Sequence, residues 1–570
     1  MRIMVIASAY NSLTQRVEAE LGDQGHGVHV QLAVSDEELC AAARRLDPHL
    51  VLAPMLKTAI PKQLWAERLC LVVHPGPMGD RGPSSLDWAI DSGERRWGVT
   101  VLQAVEEMDA GDIWASVPCE LPEAAKSDLY RNEVADAALE AVHLAVARYA
   151  SGTYVPEPLD YARPDVLGKP RPYFTQDRRR IDWTSDTTQT VVRKLRAADS
   201  FPGVLDEWGN REYFLYGGHT EDQLCGSPGR IVARRGGAVC RATVDGAVWI
   251  TQMRPRRTPG GPATFKMPAT LALGDRARLL PRIPAPLDLP EGRRTWTDIR
   301  YRERGRVGFL RFSFPAGAMS TAQCRRLLAA YHHAVSRPTD VLVLGGARDF
   351  FSNGIHLGVI EASSDPARES WENINAMDDL VQAVLDTTDR LTVAAVGGNA
   401  AAGGVMLALA ADEVWCRRGA VLNPHYRRMG LYGSEYWTYT LPRRVGAAEA
   451  RRLTEEARPL SAVHARHLGL VDRVVPAAPG AFEAQVAQLA AAAADLPGLP
   501  ARLRDKRSRR AAQEEIKPLA WYRADELARM RRNFYEAGEP YHRLRSAFIR
   551  KQPAAGPSVP PAPSSPTAPR

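Results

Sequence analysis

Two stretches hold residues whose types and spacing suit acyl chemistry. In the front half, His74-Pro75-Gly76-Pro77 is followed by Gly79-Asp80-Arg81-Gly82, then Gly98-Val99-Thr100-Val101, then Asp109-Ala110-Gly111-Asp112. A histidine beside an aspartate forms a general-base pair, because the carboxylate orients the imidazole and stabilises its cation. The competing explanation is a strand-end histidine and a turn aspartate with structural roles. In the back half, Ser352-Asn353-Gly354-Ile355 precedes a glycine-rich run from Gly397 to Gly404. Glycines let a ligand approach the backbone, and a helix starting there presents free N–H groups. Two such donors facing each other form an oxyanion hole; the alternative is glycines that pack a helix on a sheet. Farther on, Asn423-Pro424-His425-Tyr426 and Gly433-Ser434-Glu435-Tyr436 offer a phenol and a carboxyl for acid–base work. Aromatic residues at this density also pack cores.

The elements that must position these residues follow a periodic pattern. Apolar runs at 2–8, 28–34, 49–54 and 69–73 alternate with a helix over 12–21 and another capped by Ser35 with Glu38. Such alternation predicts a parallel sheet with its ligands beyond the carboxyl ends of the strands, where His74 falls. From about Pro156 short β-like runs such as 229–233 and 247–253 alternate with glycine turns and predict a small barrel. Pro281–Glu291 is a linker candidate. A second α/β pattern starts near Gly305, with strands at 307–314, 341–345, 391–396 and 413–417 and alanine-rich helices at 447–456 and 481–494. Leu391–Ala411 carries no charge and is long enough to span a bilayer, but its glycine and alanine content predicts a buried strand, loop and helix.

The chain has 570 residues, too many for one core, and a net charge of +8 without a basic-aromatic stripe. This balance points to anionic small molecules, not to nucleic acid or a membrane. Seven scattered cysteines without a C-x-x-C, and no signal peptide, predict reduced thiols in the cytoplasm. No metal site is expected, since the pair His464 and His467 has no third ligand near it in sequence.

The order of the front motifs resembles the 10-formyltetrahydrofolate-dependent formyltransferases, and the likeness continues through Asp177–Trp183 and Arg196–Gly203. The resemblance implies that His74 and Asp109 are catalytic, with Gln15, Arg131 and Ser200 as weaker folate or acceptor contacts. It departs at Val72, where the family has an asparagine whose amide donates to the oxyanion. A valine cannot donate, which leaves a backbone N–H or a different acceptor. A thiol, with a pKa of about 8.5, is one that a histidine activates readily. The back half resembles the crotonase (enoyl-CoA hydratase/isomerase) family, through Leu460-Ser461-Ala462 and Leu468–Asp472. That likeness implies an oxyanion hole from the N–H groups of Ile355 and Gly403. The two hydratase glutamates fall on Met406 and His425, so hydration is not expected. Tyr426 and Glu435, with Tyr439 as a helper, are the acid–base candidates in their place. Arg502, Arg504 and Lys506 are candidate contacts for coenzyme A phosphates, or simply a solvated basic face.

The fold class expected is therefore a multidomain α/β protein. A formyltransferase-like parallel-sheet domain covers 1–160 and a small OB-like β-barrel covers 161–285. A crotonase-like, coenzyme-A-binding α/β domain covers 295–550, and 551–570 is a disordered tail. This order, with HPGPMGDRGPSSLDWAI and NPHYRRMGLYGSEYWTYTLPRRVG, resembles the HypX (HoxX) family of hydrogenase maturation factors. The resemblance implies formyl transfer from 10-formyltetrahydrofolate to coenzyme A, then decarbonylation of formyl-CoA to carbon monoxide for the hydrogenase iron. It also implies small-molecule substrates and other maturation proteins as partners. A released formyl thioester would be hydrolysed by water, so the two clefts are expected to share one enclosed space. Two alternatives stay open: a formyltransferase for another acceptor with a non-catalytic crotonase-like partner domain, and a non-catalytic folate-binding scaffold.

Overall fold

The computed structural model describes residues 1–552, and the tail expected at 551–570 lies almost wholly outside them. The chain forms two compact units. One contains Met1–Arg256, Pro268–Pro284 and Gly292–Trp296; the other contains Arg257–Met267, Ala285–Glu291 and everything described from Thr297 on. The proline-rich stretch expected to be a linker is thus where the chain changes unit, and it does so repeatedly.

The first unit opens with β1 (Arg2–Ala7), β2 (Gly27–Leu32), β3 (Leu50–Met55), β4 (Cys70–His74), β5 (Arg96–Gln103) and β6 (Ile113–Glu120), in the order β2-β1-β3-β4-β5-β6. The strands expected from the apolar runs are present to within about two residues. Pairing is parallel from β2 through β4, but β4–β5 and β5–β6 are antiparallel. The expected parallel sheet is therefore a mixed one. The segment between β5 and β6 is too short for the dozen or more residues of a parallel crossover, so β6 must turn back. Side chains alternate across the sheet: Ile3 and Val5 join one buried cluster, Met4 and Ile6 the other. Val72 packs with the second cluster and precedes His74 on the same face.

Next come β7 (Val204–Trp208), β8 (Arg211–Glu221), β9 (Ile231–Arg235), β10 (Ala238–Ala242), β11 (Ala247–Pro255) and the short β12 (Met267–Pro268). They form one sheet in the order β7-β8-β11-β10-β9, with β12 on β11. β7 and β9 end this path, and among the described residues no pairing joins them into a ring, so the expected barrel is not confirmed.

The second unit contains β13 (Ile299–Arg304), β14 (Val307–Phe312), β15 (Val341–Gly345), β16 (Phe350–Ser352), β17 (Leu391–Val396), β18 (Asn399–Ala401), β19 (Glu413–Arg417), β20 (Val421–Asn423), β21 (Leu460–Ser461) and β22 (Arg473–Val475). A large sheet runs β13-β14-β15-β17-β19-β22 and a small one β16-β18-β20-β21. The uncharged run Leu391–Ala411 resolves into β17, β18 and the helix Gly403–Leu409, as expected. Among the described residues no helix is long and apolar enough to cross a membrane. Three long helices close the unit, Leu499–Ile516, Leu519–Tyr535 and Tyr541–Arg550. Charges around most of their circumference hid them in the sequence, because a helix polar on nearly all sides shows little apolar stripe.

One turn decides how the first sheet carries its chemistry. The loop from β5 to β6 folds back so tightly that a Cβ on Gly111 would lie 1.9 Å from the Gln103 carbonyl oxygen. Gln103 N–H in turn donates to Asp112 O at 2.9 Å. Gly111→Ala is therefore expected to destabilise the protein by about 1–3 kcal/mol, the usual range for overpacking, and to displace Asp109. Chemical denaturation of the variant checks this, and wild-type stability would show that the loop relaxes freely.

Candidate active sites

His74 is the last residue of β4, opposite Thr100 of β5. The turn that follows is pinned at its carbonyls. Thr100 Oγ1 donates to Gly76 O at 2.9 Å, and Ser85 Oγ and Trp97 Nε1 both donate to Pro75 O, at 2.7 and 2.9 Å. Gly76 must be bare, since a Cβ there would meet Asp80 Oδ2 at 2.4 Å. Arg81 donates to Met108 O at 3.2 Å, and Asp109, in the left-handed region at φ 56°, accepts from Gly82 N–H at 3.3 Å.

These restraints hold the imidazole between two carboxylates. Nε2 lies 2.9 Å from Asp80 Oδ2, and Nδ1 lies 3.5 Å from Asp109 Oδ2. A neutral imidazole has one N–H and cannot donate both ways; the imidazolium can. Burial disfavours that cation, but hydrogen bonds and attraction to Asp109 and Asp80 outweigh it and raise His74 to about 9. Burial likewise opposes ionisation of Asp109, and its contacts with His74 win, holding it below its ordinary value. Asp80 is fully buried; its Oδ1 accepts no hydrogen bond among the described residues, and Arg171 Nε stands 3.5 Å away. The resting trio is a charged acid, which becomes a base only after giving up its proton.

The residues expected to touch folate sit around the carboxyl ends of the parallel strands. Gln15 Nε2 donates to Tyr10 O at 3.2 Å just beyond β1, and Arg131 Nη1 to Ser127 O at 3.0 Å. Ser200 lies in a turn at φ 71°. The helix Lys126–Arg131 reaches that turn through Lys126 Nζ on Phe201 O at 2.8 Å and through a bond from Ser127 to Asp199. It reaches β3 through Tyr130 OH on Met55 Sδ at 3.4 Å. The structure thus joins the segments of Arg131 and Ser200, while Gln15 is tied to Tyr10.

In the second unit β16 pairs with β18, which brings the two glycine segments together. A Cβ on Gly354 would stand 3.2 Å from Gly403 N. Gly403 opens its helix, so its N–H has no acceptor within that helix. A Cβ on Gly403 would fall 2.0 Å from Glu435 Oε1. The Glu435 carboxyl therefore lies directly on the Cα that would line the hole. Its Oε2 accepts from Tyr426 OH at 2.7 Å and from Ser434 N–H at 3.2 Å. Tyr426 and Glu435 thus meet as the sequence suggested. Tyr439 points elsewhere: its hydroxyl donates to Gln513 at 2.5 Å, its ring packs edge-on to Tyr522, and Arg443 stacks on it at 3.8 Å.

Met406 is fully buried in the core, and His425 Nδ1 lies 3.1 Å from Asn423 O. Burial and then Arg428 push His425 down to about 4, so it is neutral. Neither carries a carboxyl; that of Glu435 reaches Gly403 from another part of the chain. Of the basic run, Arg502 pairs with Glu413 at 2.5 Å and Lys506 with Asp412 at 2.6 Å, while Arg504 is exposed.

Sequence reasoning missed two acids here. Asp378, in the helix Pro366–Leu385, accepts from Ser434 Oγ at 2.9 Å and from Glu435 N–H at 2.9 Å. Glu526, in Leu519–Tyr535, accepts from Tyr436 N–H at 2.9 Å and from Thr438 N–H at 2.8 Å. Burial first, then repulsion from Asp378, pushes Glu435 and Glu526 up to about 8, and burial pushes Asp378 to about 7.

Comparison with known proteins matches these two sites to two families. Residues 33–146 match the formyl transferase family and 174–263 the formyl transferase C-terminal domain. Residues 306–520 match the enoyl-CoA hydratase/isomerase family. The chain is 47% identical to the hydrogenase maturation factor HoxX of Bradyrhizobium diazoefficiens, over 97% of this chain and 95% of that protein. The crystal structure of HypX from Aquifex aeolicus in complex with tetrahydrofolic acid superposes with a TM-score of 0.93 at 41% identity, covering 97% of this chain and 96% of that one. Methionyl-tRNA formyltransferase of Pseudoalteromonas translucida is 26% identical over 39% of this chain and 70% of that protein.

The electrostatics of His74 give a pH prediction. Its value of about 9 exceeds the ordinary value near 6.5 of an unfolded chain. Its contribution to stability is therefore complete below about pH 6.5 and lost as pH rises through about 9. Following its ring protons by NMR should give a midpoint near 9, falling in Asp80→Asn. A midpoint near 6.5 in the wild-type protein would contradict the cationic trio.

Proposed function

The chain belongs to the HoxX/HypX family of hydrogenase maturation factors, and on that premise we propose that it makes carbon monoxide in the cytoplasm for the iron of a [NiFe]-hydrogenase. The carbon comes from the formyl group of 10-formyltetrahydrofolate, and coenzyme A carries it between two reactions. The observation that carries this reading is the Glu435 carboxyl lying on Gly403 and bonded to Tyr426, at a hole whose hydratase acids are absent.

In the first reaction the formyl carbon breaks its bond to the folate nitrogen and forms one to the thiol sulfur. The thiol proton replaces the formyl group on nitrogen. Val72 supplies no amide to the intermediate, and a cationic His74 offers positive charge and a proton for the departing nitrogen instead. Asp109 holds that ring. Arg131 and Ser200, with Gln15, bind folate or the acceptor.

The product thioester has no α-carbon, so enolate chemistry is closed to it. Its C–H and C–S bonds break, the proton ends on sulfur, and carbon monoxide and coenzyme A leave without any oxidant. The N–H groups of Ile355 and Gly403 hold the thioester oxygen. Ionised Glu435 takes the formyl proton; burial makes it a stronger base than an exposed glutamate. Tyr426 gives a proton to sulfur and regains one from Glu435 along their 2.7 Å hydrogen bond. Val72 favours an acceptor other than that of ordinary formyltransferases, whereas the built pair at Gly403 disfavours an idle back domain or a mere scaffold.

Pure protein supplied with 10-formyltetrahydrofolate and coenzyme A is expected to release carbon monoxide to a haem reporter. Tyr426→Phe and Glu435→Gln should each slow that release by on the order of 100-fold, the scale of acid–base catalysis, while folate is still consumed. Folate consumption without carbon monoxide in the wild type would favour a different acceptor. With Met406 and neutral His425 at the hydratase positions, no hydration of crotonyl-CoA is expected; robust hydration would mean that another group serves as the missing acids.

A further inference from the structure

The segment Ser434–Thr438 runs into the start of the helix Trp437–Val445, with Tyr436 as its N-cap, and the helix leaves its first N–H groups without acceptors of their own. Glu435 and Tyr436 are consecutive non-glycine residues in the left-handed region, at φ 59° and 58°. Such backbone persists only where the surroundings impose it. The N–H groups it turns inward find carboxylates. Glu435 N–H donates to Asp378 Oδ1 at 2.9 Å, Tyr436 N–H to Glu526 Oε2 at 2.9 Å, and Thr438 N–H and Oγ1 to Glu526 Oε1 at 2.8 and 2.5 Å. Ser434 Oγ bridges the two acids, at 2.9 Å from Asp378 Oδ2 and 3.4 Å from Glu526 Oε2. Both acids are fully buried. Glu526 lies beyond residue 520, where the match to the hydratase family ends.

We infer that Asp378 and Glu526 are positioning residues for Glu435: together they clamp the Ser434–Thr438 turn so that the Glu435 carboxyl rests on Gly403. This rests on the reading of Glu435 as the acid–base group of the back site. Tyr426 donates to Glu435, Asp378 meets it through its N–H, and Glu526 holds the next residue. Arg523, on the helix of Glu526, stands 3.9 Å from Asp378 and tempers its charge. Cys324, whose thiol burial pushes above its ordinary range, contacts Met319 O and Met377 Sδ instead. Asp378 is therefore the nearest negative charge whose loss should be felt at Glu435, and burial raises Glu435 in the same direction.

The test is an infrared titration of the intact protein, with the Glu435 carboxyl band assigned by its absence in Glu435→Gln. Asp378→Asn keeps an oxygen for the Glu435 N–H and removes the charge, so the Glu435 midpoint should fall by about one pH unit or more. Asp378→Ala removes the oxygen as well; its carbon monoxide release should drop at least tenfold below that of Asp378→Asn. Should Asp378→Asn not fold, Glu526→Gln is expected to move the midpoint in the same direction by a smaller amount. An unchanged midpoint in the folded variant, or equal rates in the Asn and Ala variants, overturns the inference. The infrared band reads Glu435 whether or not the wild type makes carbon monoxide, so failure of the proposed reaction is seen separately.

Discussion

A carboxyl group can lie against the Cα of residue 403 only because that residue is glycine and because the turn carrying Glu435 is forced into a shape that chains avoid. Both conditions are costly alone. A buried acid loses its hydration, and a left-handed glutamate strains its backbone. The fold offsets them together: each buried carboxylate accepts N–H groups of the strained turn, so the acids hold the turn and the turn satisfies the acids. Removing any one member leaves a buried polar group without a partner, which is the expensive outcome. Two helices far apart in sequence, Pro366–Leu385 and Leu519–Tyr535, are thereby tied to the geometry of one side chain.

The front site meets the same problem with the opposite sign. There the desolvated group is a cation, and it keeps its charge because two carboxylates flank it. The back site buries three acids with one arginine at the edge, and burial raises each of them above its ordinary value instead. One chain thus holds a proton-rich imidazole in one unit and a reluctant carboxylate in the other. The first is ready to give a proton and the second, once ionised, to take one. That is the order of needs in a transfer to sulfur followed by removal of a formyl hydrogen.

Much of this was legible in the sequence, and the reasons for the gaps are physical. His74 and Asp109 stood out by the order and spacing of the front motifs, and Tyr426 and Glu435 because a phenol and a carboxyl stand close together in sequence. Asp80 was in plain view within the same motif, yet nothing local says that its side chain turns inward; that depends on the bare Cα of Gly76. Asp378 and Glu526 sit inside amphipathic helices, where an acid ordinarily marks the solvent face. Their burial follows from helices meeting across long stretches of sequence, which no local pattern records. Tyr439 shares the aromatic density of its neighbours, but helical spacing turns its hydroxyl to Gln513. The first four strands were found by their apolar runs; the antiparallel pairing of β5 with β4 was not, because the stretch between them is long enough for either direction.

The interleaving of the two units bears on ancestry. Residues 257–267 and 285–291 belong with the second unit although segments of the first follow each of them. Arg550 donates to Ala263 O at 2.6 Å, and Tyr301 N–H to Leu287 O at 2.8 Å, so both borrowed segments are hydrogen-bonded into their adopted body. End-to-end joining of two genes yields a chain that crosses once. This one crosses several times, and no single cut returns both parents intact. Neither body can therefore be obtained whole from one continuous stretch of the chain.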